Sequence, residues 1–290
     1  MKTAEDRITV YDGNCNFCRS VISGLTKWKW IDSTKTEAYY DMSPGKQSHV
    51  DLNQFKSEMA VIDMDGGRTY YGLEGVFYAI GYRFPILRKL KRESFLFPVI
   101  QFFYRNIAWN RYVIMRPVST VKCDCEPPLN KFYRLSLFTF CVFVAVLITG
   151  LLGIAVGKNL LGGWFHMHDV PVFAFTALRM IGSGWVLQLL LARILLRGEK
   201  FYDYVGHLGI IMLVGVLVLL PGILCFLLPD GLFMTLAGVS VVISSALMIS
   251  MHYKRTRALG MGISWTVMWL LCLYGGVVFW SFFGLPQIKM

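Results

Sequence analysis

Acidic residues are scarce in the second half of this 290-residue chain. Residues 135–290 hold four Asp+Glu and nine Lys+Arg, against 14 and 20 in residues 1–134. There is also no glycine-rich phosphate loop, no H-E-x-x-H, no nucleophile elbow and no internal repeat. These gaps remove the motif-borne forms of nucleotide, zincin and α/β-hydrolase chemistry. The shortage of charge excludes an ordinary soluble protein: 55% of residues are hydrophobic and 16% charged. Cysteine is sparse at seven residues, and four of them fall in two close pairs.

What fills the second half is apolar sequence. Residues 135–156, 170–192, 208–228, 231–251 and 261–283 each approach or exceed the roughly 20 residues that cross a ~30 Å hydrocarbon layer. Only Arg179 interrupts them with charge. Helices are expected, because backbone in lipid must satisfy its own hydrogen bonds. The chain thus divides into a domain at 1–120, a juxtamembrane linker at 121–134 marked by Pro127 and Pro128, and a five-helix membrane domain at 135–290.

Lys and Arg set the expected orientation. Lys122, Lys131 and Arg134 precede the first span, Arg193, Arg197 and Lys200 follow the second, and Lys254, Arg255 and Arg257 follow the fourth. The opposite loops carry one Lys. This places the N-terminal domain in the cytoplasm and the C-terminus outside, with a bacterial inner membrane as the expected setting. Residues 1–20 are too polar for a secretory signal. In a reducing compartment a C-x-x-C is more often catalytic or metal-binding than structural.

That motif is "VYDGNCNFC" (residues 10–18). "RITVYDG" reads as a short buried strand, and Phe17, Val21, Ile22 and Leu25 recur at helical spacing. Cys15 and Cys18 therefore sit where strand turns into helix. Free N–H groups there stabilise a thiolate. Cys15, nearer the end, is the expected nucleophile, with Cys18 as resolving thiol and Arg19 as added positive charge. Asp12 opposes thiol ionisation, caps the helix or relays protons. "TEAYY" suits a second strand, "EMAVIDMDGGRTYYG" a hairpin, and "LEGVFYAIGY" a helix. The order is that of an α/β thioredoxin-like domain.

These segments resemble the DCC family of thiol–disulfide oxidoreductases, named for its Asp, Cys and Cys. "VYDGNCNFC" matches its D-G-x-C-x-x-C signature. "VIDMDGGRTYYGLEGVFYAI" is similar to its strand–turn–strand–helix, and "YRNIAWNRYVI" to its closing helix. The resemblance covers about residues 5–118. It implies a thioredoxin-like fold with Asp12, Cys15 and Cys18 at the active site and a protein thiol or disulfide as substrate. No proline precedes "EMAVID", where thioredoxins place one against the dithiol.

Other residues invite sharper readings. Cys123 and Cys125 form a C-x-C, read as a disulfide relay to Cys15/Cys18, a four-cysteine zinc site, or two idle thiols. Cys141, Cys225 and Cys272 lie singly in spans and read as packing. His166 and His168, in the outer loop "WFHMHD", are copper-type ligand candidates or part of an interfacial loop. Arg179 reads as an anion site inside the membrane or as a snorkelling cation. The stretch 83–116, basic and aromatic, reads as a face on an anionic inner leaflet rather than a nucleic-acid surface.

The expectation is a membrane-anchored thiol–disulfide oxidoreductase needing no metal or cofactor, with a membrane-protein partner left open. The rival places function in the membrane domain. There Arg179 and the His166/His168 loop handle a lipid, quinone or metal, and the soluble domain regulates, binds zinc or docks a partner. A purely structural, zinc-stabilised anchor is the third reading.

Overall fold

The computed structural model describes residues 7–81, 83–89, 95–118, 122–161, 166, 169–224 and 230–283. It divides into two compact units, residues 1–134 and 135–290.

The first unit is built on a four-stranded mixed sheet. β1 (Arg7–Tyr11) is followed by α1 (Asn16–Lys27), β2 (Thr36–Ala38), the short turns α2 (Pro44–Gln47) and α3 (Leu52–Phe55), then β3 (Ala60–Asp63), β4 (Arg68–Tyr71) and α4 (Gly72–Ile80). α5 (Pro85–Lys89) and the longer α6 (Leu96–Ile114) complete it. The strand order is β2-β1-β3-β4. β1 pairs parallel with β2 and antiparallel with β3, and β3 and β4 form the hairpin. This is the thioredoxin-like arrangement expected from the element order. The second strand is shorter than "TEAYY" suggested, since Tyr39–Asp41 turn into a 3-10 coil.

Alternation along β1 and β3 separates two cores. Ile8, Val10, Ala60 and Ile62 meet Met42, Val50, Phe55 and Cys125 in one cluster. Val61 points the other way, to Ile31 and Ala79. All four residues of β3 are buried, as a central strand demands. Each buried Val, Ile or Phe contributes roughly 1.5–3 kcal/mol of transfer free energy. Cys125, read from sequence as linker, is thus part of this packing. α4 lies close on the hairpin: a Cβ at Gly75 would fall 2.9 Å from the Tyr70 carbonyl oxygen.

The second unit is helical. α7 (Lys131–Leu161) begins within the first unit, and α8 (Asp169–Leu195), α9 (Glu199–Leu224), α10 (Asp230–Ala258) and α11 (Ser264–Phe283) follow. All five are long and apolar enough to cross a membrane. α8 packs on α11, and α9 on α10. Small residues permit close approach, as helices in lipid require. A Cβ at Gly184 would lie 2.5 Å from the Leu273 Cα and 2.6 Å from the Cys272 carbonyl oxygen.

Candidate functional site

The turn Asp12–Cys15 joins β1 to α1. The backbone N–H of Cys15 donates to the Asp12 carbonyl at 3.2 Å. The N–H of Asn14 donates to Asp12 Oδ1 at 2.9 Å. Cys15 is the N-cap of α1, its sulfur accepting from the Cys18 N–H at 3.3 Å. Asp12 is therefore not the helix cap; its carboxylate closes the turn one step earlier. Gly13 lies tight against Tyr40: a Cβ there would fall 2.5 Å from the ring, and the tyrosine would have to move.

The two thiols are free and electrostatically distinct. Donation from the Cys18 thiol lowers the Cys15 pKa against the effect of burial, with help from the Cys18 N–H and Arg111; Asp12 opposes. Cys18 goes well up, first because it donates to Cys15 and then because the surrounding protein desolvates its sulfur. The cation acting on the pair is Arg111, from α6, rather than Arg19. Cys15 has no exposed surface, whereas Cys18 is partly exposed. The expected nucleophile is thus the electronically favoured sulfur but the sterically hidden one.

Arg111 is only 4% exposed and links the elements of the site. Its Nη2 donates to Asp12 Oδ2 at 3.2 Å and to the Cys125 carbonyl at 2.7 Å, and its Nη1 to the Lys56 carbonyl at 2.8 Å. Burial works against its charge, and the charges of Cys18, Asp12 and Cys15 outweigh that, raising its pKa. The Tyr112 hydroxyl donates to the same Asp12 oxygen at 2.9 Å. Burial and this carboxylate push the Tyr112 pKa up. Arg105 pairs with Glu58. Arg111 of the basic stretch 83–116 therefore serves the domain's interior, while Arg105 stays at its surface.

Cys123 and Cys125 form a disulfide and lie against this turn. The Asn14 side chain donates from Nδ2 to the Cys123 carbonyl at 2.9 Å and to Cys123 Sγ at 3.1 Å. Its Oδ1 accepts from the Lys122 N–H at 2.9 Å, and its backbone carbonyl from the Val118 N–H. Asp12, Cys123 and Cys125 each bring one possible ligand atom within 4.8 Å of the others. The sulfurs are bonded to each other, and the guanidinium occupies one carboxylate oxygen, so the arrangement is poorly suited to a cation. Both cysteine pairs and Asp12 were named from sequence. Asn14, Arg111 and Tyr112 were missed. The Asn-Arg-Tyr of the closing helix was the available signal for the last two; Asn14 had none.

Of the membrane-unit candidates, Arg179 and His166 are described. Arg179 is exposed on α8, its guanidinium 5.8 Å from the Trp280 ring centroid. The His166 N–H donates to Asp169 Oδ2 at 2.8 Å, a local turn at the start of α8. His168 and Cys225 lie outside the described residues; Cys141 and Cys272 are buried. A different buried polar chain occupies this unit. Gln188 Nε2 donates to Tyr204 Oη at 2.6 Å, Tyr204 Oη meets His252 Nε2 at 3.0 Å, and His252 Nδ1 meets Thr266 Oγ1 at 3.0 Å. Separately, residues of α7–α11 line a half-open apolar cavity of about 760 Å³.

A dithiol at the N-terminus of the helix that follows the first strand of such a sheet defines a thioredoxin-like thiol–disulfide domain. Residues 9–117 match the family model of the DCC1-like thiol-disulfide oxidoreductases. The first unit therefore carries a DCC1-like domain, ahead of the five apolar helices. No curated protein and no solved structure matches the chain.

Proposed function

We propose that this is a membrane-anchored thiol–disulfide oxidoreductase. Cys15 and Cys18 form the exchanging dithiol, and Cys123–Cys125 is the pair that passes oxidising equivalents to or from it. One observation carries this reading: the Cys123–Cys125 segment is docked on the turn that leads to Cys15, held there through Asp12, Asn14 and Arg111. The substrate is a protein thiol or disulfide, and the exchange requires no metal or cofactor.

Burial supports a division of labour. A substrate thiolate attacks the partly exposed Cys18 sulfur of a Cys15–Cys18 disulfide, and Cys15 leaves as the more acidic thiol. A second substrate thiol displaces Cys18 and closes the substrate disulfide. The reduced pair then exchanges with Cys123–Cys125: two electrons move inward and two thiol protons end on Cys123 and Cys125. Every step is reversible.

The Lys and Arg distribution supports a cytoplasmic first unit in a bacterial inner membrane. Exposed Leu96, Val99, Phe102, Phe103 and Ile107 form an apolar stripe at helical spacing along α6. Phe102 meets Phe132 at the start of α7, the first span. That continuity favours an anionic lipid surface as the stripe's partner.

The test is a thiol–disulfide titration of the full-length protein in detergent, with alkylation trapping and mass mapping of the four sulfurs. Cys15 and Cys18 should titrate as one two-electron couple, and Cys15→Ser should abolish exchange. Four sulfurs that stay reduced and release zinc on forced alkylation would sink the reading in favour of a structural anchor. The cavity among α7–α11 favours a second reading, in which the membrane unit holds a lipid or quinone. Under it, Arg179→Ala harms function more than Cys15→Ser.

A further inference from the structure

Asn14 is wholly buried, and its side-chain polar atoms are turned to the C-x-C segment. Its Oδ1 is fixed by the Lys122 N–H, which orients the amide. Nδ2 then reaches both the carbonyl and the sulfur of Cys123. The contact is asymmetric: Cys123 Sγ has this donor, while the Cys125 residue is held through its carbonyl by Arg111. A donor aimed at one sulfur of a disulfide stabilises the charge that develops when that sulfur leaves.

We propose that Asn14 is a catalytic residue of the internal exchange, making Cys123 the leaving sulfur and directing Cys15 to Cys125. This rests on the relay proposed above. The Cys15 thiolate attacks Cys125 Sγ; the Cys15–Cys125 bond forms as the Cys123–Cys125 bond breaks. Cys123 departs as a thiolate hydrogen-bonded by Asn14. The Cys18 thiolate then attacks Cys15, forming Cys15–Cys18 and releasing Cys125. One disulfide is consumed and one formed. The protons lost by Cys15 and Cys18 are taken up by Cys123 and Cys125. In reverse, Asn14 holds Cys123 as the attacking thiolate. The lowered pKa of Cys15 supplies the nucleophile, and its lack of exposed surface favours a partner inside the chain over one in solution.

The experiment uses the full-length Cys18→Ser protein, which stalls at the mixed disulfide. It is prepared with Cys123–Cys125 oxidised, started by a pH jump and trapped by alkylation. Cys15–Cys125 should exceed Cys15–Cys123 by roughly tenfold, the discrimination expected of one hydrogen bond to a charged sulfur. Adding Asn14→Ala should bring the ratio to near one. Asn14→Asp keeps the acceptor for Lys122 and removes the donor, so it serves if the alanine variant fails to fold. It should shift the product toward Cys15–Cys123. In the fully reduced protein, Cys123 should alkylate at lower pH than Cys125, and Asn14→Asp should reverse that order. A purely structural clamp moves neither ratio nor order, so an unchanged ratio overturns the assignment while leaving the relay standing. If Cys15 joins neither sulfur, the relay itself fails.

Discussion

Arg111 donates to Asp12 across 99 residues of sequence, in a pair that is almost wholly enclosed. A guanidinium is suited to this position because it has several donors in one plane. It serves Asp12, the Cys125 carbonyl and the Lys56 carbonyl at once. Arg111→Lys cannot reproduce that fork. Arg111→Ala leaves a buried carboxylate without its cation, a change that costs about 3–5 kcal/mol in comparable sites. Hydrogen exchange on the full-length protein reads the result: amides of β1 and α1 should lose protection in both variants, while those of α9 and α10 stay unchanged.

The thiols respond to pH in opposite directions. The folded pKa of Cys15 lies below that of an ordinary thiol. Its contribution to the stability of the reduced protein is therefore present above the unfolded value and fades as pH falls through the folded one. Cys18 has a raised pKa, so its contribution is present below the unfolded value and is lost as pH rises through the folded one. The largest cause of the Cys15 shift is the Cys18 thiol. Cys18→Ala should thus move the Cys15 titration upward, measured by ultraviolet thiolate absorbance. A midpoint that stays put would assign the shift to the helix end and Arg111.

In the membrane unit, the backbones of α8 and α11 meet at Gly184. Gly184→Ala sets a methyl 2.5 Å from the Leu273 Cα, and neither backbone can yield without moving a helix. Overpacking of this kind costs about 1–3 kcal/mol. Unfolding of the full-length protein in mixed micelles should show a lower midpoint. Gly238→Ala, which meets nothing within 4 Å, is the control expected to be neutral.

The apolar stripe on α6 gives a spatial prediction. A spin label at Phe103 in the vesicle-reconstituted protein should be accessible to oxygen and shielded from a water-soluble relaxation agent. Val99→Glu, one turn from the label, should weaken that shielding, most at high ionic strength, because charge attraction to the leaflet is then screened. Equal shielding from both reagents would place protein, not lipid, over the stripe.

Much of the first unit was readable from local pattern. β1, α1 and the hairpin follow from alternation, helical spacing and the Asp-Gly-Gly turn, interactions that close within a few residues. The position of Cys15 at the helix start was readable for the same reason. The extent of β2 was not, since two tyrosines with strand propensity turn into a 3-10 coil instead. Arg19 looked like the cation of the site because it is near in sequence. Arg111 takes the role because folding brings α6 under the turn, and residue spacing does not encode that approach. The docking of Cys123 on Asn14 spans 109 residues and was equally hidden. The five spans were legible by hydropathy alone; the Gln188–Tyr204–His252–Thr266 chain was not, because its members come from four different helices.

The tether between the two cysteine pairs has a kinetic consequence. Partners on separate proteins meet at a rate set by their concentrations. Here the docked C-x-C holds the second pair at a fixed effective molarity. Under the proposed relay, exchange between the pairs would be first order and insensitive to dilution. Each molecule then behaves as a self-contained reservoir of four sulfurs, and the scarcity of its external partner limits only how often that reservoir is refilled.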